Sequence, residues 1–136
     1  MQVGRKATSM VLVGMGTQIV EVVRIRHLMD RHAEVFLDRV FTPGEQAYCR
    51  DRVRTAEHYA AVWAAKEATL RSLGTSWNRS IAWTDLEIDC TNPPAPRVVL
   101  HGGIAARARV QGAARFVVAL AHTRAHATAT VLALQG

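Results

Sequence analysis

The chain has 136 residues, and 49% of them are hydrophobic. This length suits one domain with an ordinary apolar core, and the composition excludes a mostly disordered chain. Lysine and arginine together number seventeen against eleven acidic residues, which gives a formal charge of +6 and favours an anionic partner such as nucleic acid, a phosphate-rich ligand or an acidic protein.

The chain is predicted to begin with a loose extension over residues 1–9, followed by a single domain over residues 10–136. The first element of that domain is an apolar run over residues 10–20 that contains two glycines, which indicates a buried strand with a close backbone approach or a bulge. The run is too short to cross a membrane and is not followed by the small-residue cleavage site of a signal peptide. We therefore expect neither a membrane span nor a secretory signal.

Helical patterns fill the next part of the chain. Residues 21–31 have helical spacing, and a second short helix is predicted over residues 34–40. Residues 42–45, Thr-Pro-Gly-Glu, have the pattern of a helix start, with a capping residue, a proline and then an acid. The strongest predicted helix covers residues 57–73, because it is rich in alanine, and Gly74 ends it. This helix is apolar on nearly all sides, which is typical of a buried helix.

The C-terminal half predicts short strands. Residues 83–88 alternate between apolar and polar side chains and are predicted to form a strand, as are residues 97–100. Residues 104–110 are predicted to form a short helix. The runs 116–121 and 127–134 flank a polar turn and indicate a hairpin. The sequence therefore predicts an α+β domain, in which an antiparallel or mixed sheet packs on one long central helix with additional short helices.

The two cysteines carry little information about chemistry. Cys49 and Cys90 do not have the spacing of a metal site, and one pair does not make a disulfide framework. A reducing, cytoplasmic setting is the simplest interpretation.

Two polar residues interrupt apolar elements and are candidates for a functional site. Glu67 lies in the apolar helix, where an unpaired carboxylate is costly. It is either a metal ligand, an ion-pair partner of Lys66 or Arg71, or an acid at the edge of the core that reaches solvent. Gln18 lies in the first strand, where its amide either bonds to the backbone or belongs to a site.

Basic side chains form two further candidate groups. Arg24, Arg26 and Arg31 could present a basic helix face to an acidic partner, or they are simply solvated surface residues. His122 and His126 flank the predicted hairpin turn rather than sharing a helix face, so the sequence favours contact of His122 with a phosphate or ribose over a histidine metal site.

Several segments, read together, resemble the bacterial holo-acyl-carrier-protein synthases. Residues 14–25 read GMGTQIVEVVRI and are similar to that family's opening motif, G-[IL]-G-T-D-I-V-E-x-x-R-I. Residues 36–45 look like its next block. Residues 63–68 and 73–75, WAAKEA and LGT, look like its F-A-A-K-E-A…G-T-G. Residues 120–123 and the strand after them resemble its closing hairpin. These blocks occur in the family's order and span nearly the whole chain.

The resemblance implies a phosphopantetheinyl transferase fold and activity. The family transfers the 4′-phosphopantetheine arm of coenzyme A to a serine of an acyl carrier protein, a step that serves fatty acid biosynthesis. It implies Mg²⁺ as cofactor, because the serine attacks a charged pyrophosphate that the ion neutralises and orients. It also implies a homotrimer with active sites between subunits. Neither a membrane nor nucleic acid is an expected partner.

The resemblance also assigns roles to individual residues. Glu67 matches the metal-binding carboxylate of the family's helix, and Gln18 stands where the family has its metal-binding aspartate. Catalysis is assigned to Glu67 and Lys66. The residues matched to coenzyme A binding are Lys66, Arg71, Gly74, Thr75, His122 and Thr123. The residues matched to the carrier protein are Arg24 and, on the same basic face, Arg26 and Arg31.

The chain departs from the family pattern at four places. Gln18 replaces an aspartate, Val62 replaces an arginine, and Ala119 replaces a serine or threonine. Residues 94–96, Pro-Ala-Pro, lack the lysine of the family's Gly-Lys-Pro turn. The neutral amide of Gln18 predicts weaker Mg²⁺ binding, because a charge in direct contact with the ion is lost. Two alternatives to an active transferase stay open: a relative that binds coenzyme A or a carrier without transfer, and a basic nucleic-acid-binding module.

Overall fold

The computed structural model describes residues 10–91 and 96–136, so the predicted extension over residues 1–9 and most of the loop that contains Pro94-Ala95-Pro96 lie outside it. The α+β class predicted from the sequence is confirmed. The elements in chain order are β1 (Leu12–Glu21), α1 (Val22–Val40), α2 (Pro43–Arg50), α3 (Thr55–Ser72), β2 (Leu86–Asp89), β3 (Arg97–Leu100), α4 (Gly102–Gln111), β4 (Arg115–His122) and β5 (His126–Leu134).

The strands form two antiparallel sheets, one of three strands in the order β1-β5-β4 and one of the strands β2 and β3. The predicted hairpin is the pair β4 and β5. The three-stranded sheet packs against α3, which contacts β1 and β5. Small buried side chains on β5 make this approach possible, namely Ala127, Ala129, Val131 and Ala133. None of the helices in the described residues is long and apolar enough to cross a bilayer.

Two glycines of β1 fix its distance from α3. A Cβ atom at Gly14 would overlap the carbonyl oxygen of Ser72, and one at Gly16 would overlap the carbonyl oxygen of Ala68. The strand and the helix therefore touch backbone to backbone, as the glycines of the sequence predict. This contact sets the spacing between the strand that carries Gln18 and the helix that carries Glu67.

The start of α2 forms the predicted capping box. The Thr42 hydroxyl accepts a hydrogen bond from the Glu45 backbone N–H at 3.2 Å, and Glu45 Oε1 accepts one from the Thr42 N–H at 2.8 Å. Glu45 is buried, and its other oxygen accepts a hydrogen bond from the Ile88 N–H at 2.7 Å. One carboxylate thus caps α2 and holds β2 beside it.

The structure corrects two boundaries. The predicted helices over residues 21–31 and 34–40 form the single segment α1, which breaks at Ala33, where φ is 43° and ψ is −124°. The strand predicted over residues 83–88 is wrong in its first half, because Trp83–Asp85 is a 3₁₀ turn and the strand starts at Leu86.

Replacing Ala33 by glycine is expected to raise the free energy of unfolding by about 1–2 kcal/mol. Ala33 is exposed and has a positive φ, which is strained for any residue with a Cβ atom and open to glycine. Urea denaturation measures the change. The matched control is Ala106→Gly in α4, also exposed, which should lose about 1 kcal/mol. A loss of stability in both variants would contradict the proposed strain at Ala33.

Candidate active site

The Glu67 carboxylate lies half-buried on α3, about one and a half turns before the helix ends. Its Oε1 accepts a hydrogen bond from the Trp63 indole N–H. Within the described residues, Oε2 has no hydrogen bond and Glu67 has no ion pair, so the ion pair with Lys66 or Arg71 that the sequence allows is not formed. A small cleft adjoins the carboxylate, lined otherwise by Leu70, Arg71, Thr75, Ser76 and Trp77. One carboxylate oxygen therefore has no hydrogen bond in the described residues, and an arginine, a threonine and a serine line the cleft together with Glu67.

The turn after α3 shapes one wall of this cleft. Gly74 has φ of 70°, a left-handed conformation that ends the helix as predicted. Two side chains of α4 hold the turn, since Arg107 Nε and Gln111 Nε2 donate to the Leu73 carbonyl at 3.2 and 2.9 Å. Sequence reasoning missed these two anchors. Of the residues matched to coenzyme A, Arg71 in the last turn of α3 and Thr75 after the anchored turn thus line the cleft with Glu67, while Gly74 shapes the turn between them.

Lys66 occupies a different place from the one its assigned roles require. Its side chain is fully buried, and Nζ lies 2.7 Å from Glu45 Oε1. The ammonium also donates to the carbonyls of Val40 and Trp83 at 2.6 and 3.1 Å. Burial lowers the pKa of Lys66, although the Glu45 carboxylate acts in the opposite direction. All three N–H donors have protein partners, which is the arrangement of a structural cation, and the catalytic and coenzyme A-binding roles of Lys66 stay predictions from the family resemblance.

Gln18 is half-buried on the side of β1 that faces α3, the same side as Gly16 and the buried Val20. Its Oε1 accepts a hydrogen bond from the Ile19 N–H at 3.2 Å. No hydrogen bond joins Gln18 to Glu67 in the part of the chain that the structure describes, where no cluster of three or more His, Cys, Asp or Glu side chains occurs either. The two predicted metal ligands therefore lie on packed elements, and each has its side-chain hydrogen bond to a different partner within the described residues.

His122 lies at the end of β4 and pairs with the other end of α3. Its Nδ1 is 2.9 Å from Oε1 of Glu57, which is only 5% exposed, and its ring packs 4.7 Å from that of His58. A carboxylate only accepts hydrogen bonds, so Nδ1 carries the proton and Nε2 is left for another partner. Neither Glu57 nor His58 was singled out by sequence reasoning, although a glutamate in the first turn of an apolar helix is a visible signal.

The predicted coenzyme A residues are therefore divided between two ends of one helix. Glu57 and Glu67 are ten residues apart on α3, which corresponds to about 15 Å along the axis. His122 and Thr123 belong to the Glu57 end, and Thr123 is exposed in the turn, where its hydroxyl accepts from the His126 N–H at 3.2 Å. One chain alone does not bring His122 and Thr123 to the Glu67 cleft.

The three candidate arginines of α1 are all exposed. The Arg24 guanidinium lies 5.9 Å from the ring centroid of Trp63, the residue that binds Glu67, and Arg26 lines a groove together with Glu57. Arg31 is placed further along the helix, one turn or less before the break at Ala33. Arg24 thus lies near the Glu67 end of α3 and Arg26 near its Glu57 end, so the three arginines do not share the single helix face expected from the sequence.

Comparison with known protein families identifies the family of this chain. The sequence model of the 4′-phosphopantetheinyl transferase superfamily matches residues 14–129, which include Gln18, Glu67 and His122. The chain belongs to the 4′-phosphopantetheinyl transferase superfamily. Within this superfamily, the holo-[acyl-carrier-protein] synthase of Solibacter usitatus is 36% identical over 121 residues, covering 89% of this chain and 97% of that protein. The family predicted from the sequence motifs is confirmed.

Solved structures of the superfamily share the fold. The crystal structure of the Neisseria meningitidis holo-[acyl-carrier-protein] synthase aligns with a TM-score of 0.80 and 24% identity, covering 90% of this chain and 98% of that one. The Helicobacter pylori enzyme, crystallised in complex with coenzyme A, aligns with a TM-score of 0.75 and 24% identity, covering 88% and 98%. The predicted transferase-like fold is thereby confirmed.

Proposed function

We propose that the chain is a holo-acyl-carrier-protein synthase, which transfers the 4′-phosphopantetheine arm of coenzyme A to a serine of an acyl carrier protein. The observation that carries this proposal is the Glu67 carboxylate, with one oxygen held by Trp63 and the other free at a cleft with Arg71 and Thr75. The sequence match to the superfamily and the curated relatives support it.

The donor set at the cleft fits Mg²⁺. This ion prefers hard oxygen ligands and is usually bound by one or two carboxylates together with phosphate and water. Glu67 would supply the carboxylate, and the Gln18 amide oxygen, on the strand packed against the same helix, would be a neutral second ligand. When bound, the ion neutralises the pyrophosphate of coenzyme A and orients its leaving oxygens.

The remaining site residues bind and position the two substrates. The Arg71 guanidinium suits phosphate oxygens through its planar set of N–H donors, and the Thr75 hydroxyl donates beside it. Arg24, Arg26 and Arg31 are exposed cations of α1 that would attract an acidic carrier protein and accelerate its association. Coenzyme A and the carrier would then meet at Glu67, on the side of α3 toward Arg24.

A homotrimer with shared active sites would unite the two ends of α3. The outer face of the three-stranded sheet, turned away from α3, carries several exposed apolar side chains beside exposed threonines. Met15 and Ile19 are 63% and 64% exposed and Val117 is 47% exposed, and Met15 and Val117 flank the same β5 residue, Leu132. An exposed apolar patch of this kind is typical of a protein interface. Assembly through it would cover the patch and bring His122 of one subunit to the Glu67 cleft of another.

Intact-mass spectrometry of an apo acyl carrier protein tests the proposed activity. The carrier is incubated with this protein, coenzyme A and a series of Mg²⁺ concentrations. We expect a mass gain of one phosphopantetheine arm that disappears when a chelator is added. No gain with several carriers at excess Mg²⁺ would overturn the proposal and favour a relative that binds coenzyme A or a carrier without transfer.

Replacing Gln18 by aspartate is expected to lower the Mg²⁺ concentration needed for half-maximal transfer by about tenfold or more. The change adds a negative charge next to the proposed cation, and an interaction of even 1.4 kcal/mol corresponds to a factor of ten. Transfer rates measured across a Mg²⁺ titration give the result. The control is Val110→Asp, which adds the same charge at an exposed position of α4, outside the proposed interface. An equal Mg²⁺ requirement in Gln18→Asp and the wild-type protein would show that Gln18 is not at the metal.

A further inference from the structure

We infer that Trp63 is a positioning residue for the metal-binding carboxylate, because its indole N–H holds Glu67 Oε1 and leaves Oε2 as the oxygen offered to the cation. This inference rests on the proposed function. Trp63 would act through Glu67, without contacting coenzyme A or the carrier serine.

The contact is local and directional. Trp63 and Glu67 are four residues apart on α3, the spacing at which helical side chains meet. The indole nitrogen is a donor only and the carboxylate an acceptor only, so the bond has one possible polarity. A hydrogen bond to a charged acceptor is stronger than one between neutral groups, and this one is the only hydrogen bond that the Glu67 side chain makes in the described residues.

The Trp63 ring is itself held in place. It is 7% exposed, stacks on Phe36 at 5.7 Å between ring centroids, and lies 4.6 Å from the Trp83 ring. Arg24 stands over it at 5.9 Å. A ring packed on several sides has a fixed orientation, so its N–H fixes the rotamer of the flexible glutamate that it binds.

A fixed carboxylate has a particular value in this chain. The family pattern has phenylalanine at position 63 and aspartate at position 18, whereas this chain has tryptophan and glutamine. The amide of Gln18 contributes no charge to the cation, so the cation depends on the single carboxylate of Glu67. A donor that keeps Glu67 in one orientation reduces the conformational entropy lost when the metal binds, and groups that orient metal ligands typically change metal affinity by about 10–100-fold.

Trp63→Phe separates this role from packing, because it keeps an aromatic ring in the core and removes only the donor and the larger ring of indole. Mn²⁺, used as a paramagnetic substitute for Mg²⁺, is titrated into the protein with coenzyme A and without carrier, and free Mn²⁺ is measured by electron paramagnetic resonance. We expect the dissociation constant to rise by about tenfold or more in Trp63→Phe. The matched control is Tyr59→Phe on the same helix, which keeps a buried aromatic ring and removes a hydroxyl that makes no hydrogen bond in the described part of the chain; its Mn²⁺ affinity should stay within about twofold of the wild type.

A second measurement follows the Trp63 hydrogen bond in the wild-type protein. The protein has three tryptophans, so three indole N–H signals are expected in a ¹⁵N–¹H spectrum and can be assigned with single Trp→Phe variants. The Trp63 signal should move when Mg²⁺ is added with coenzyme A, and the Trp83 signal should move much less. If the wild-type protein transfers the arm but Trp63→Phe keeps its Mn²⁺ affinity, or the Trp63 signal is stationary, this inference alone fails. If the wild type neither transfers nor binds Mn²⁺, the proposed function fails and this inference fails with it.

Discussion

Glu67→Gln should lower the rate of phosphopantetheine transfer by about a thousandfold or more. The substitution keeps the size of the side chain and removes the only carboxylate charge at the cleft. A pair of unit charges about 4 Å apart interacts by about 4 kcal/mol at an effective dielectric of 20, and a barrier higher by that amount slows a reaction by about a thousandfold. Initial rates from intact-mass measurements at saturating coenzyme A and Mg²⁺ give the ratio.

The control for this prediction is Glu34→Gln, which removes an exposed glutamate of α1 and should leave the transfer rate within about twofold of the wild-type rate. The free energy of unfolding of both variants, measured in urea, should stay within about 0.5 kcal/mol of the wild-type value. A Glu67→Gln protein with more than a tenth of the wild-type rate would remove Glu67 from the metal site.

Lys66→Met is expected to lower the free energy of unfolding by about 3–5 kcal/mol. The change leaves the Glu45 carboxylate buried without its cation and the carbonyls of Val40 and Trp83 without a donor, and breaking a buried ion pair from one side typically costs this much. Domains are commonly stable by only about 5–15 kcal/mol, so the loss is a large share of the total. Urea denaturation followed by circular dichroism measures it.

Arg71→Met is the matched control, because it removes a cation five residues further along the same helix, where the side chain is exposed. Its unfolding free energy should change by about 0.5 kcal/mol or less, while its affinity for coenzyme A falls. The two variants thus separate a structural cation from a ligand-binding one. A Lys66→Met protein with wild-type stability and weakened coenzyme A binding would restore the role that the family resemblance assigns to Lys66.

Local signals in the sequence predicted much of this fold. The capping pattern at Thr42, the alanine-rich helix and the turn at Gly74 each depend on residues within a few positions of one another, so their chemistry is visible without tertiary structure. The sequence predicts two helices on either side of Ala33, but it does not predict that they are joined in one bent segment, because alanine gives no sign of a positive φ.

The site was harder to predict because its partners are distant in sequence. A helix that is apolar on all sides gives no indication of which way a charged residue points, so Lys66 and Glu67 looked like neighbours in one site. Their partners decide otherwise: Lys66 bonds to Glu45 across the core, while Glu67 bonds to Trp63 one turn away. The contact between Glu57 and His122 spans 65 positions and depends on how the hairpin folds back. Only the contact between Trp63 and Glu67, at helical spacing, was open to sequence reasoning.

The glycines of β1 also affect how this protein can evolve. Every amino acid that replaces Gly14 or Gly16 brings a Cβ atom into the backbone of α3, so selection is expected to keep both positions glycine whatever chemistry the site performs. Position 18 has no such restriction, because the strand already accommodates a half-buried side chain there. The strand therefore separates residues that maintain the architecture from one that is free to vary, and a lineage can exchange an acid for an amide there, and back again, without redesigning the scaffold.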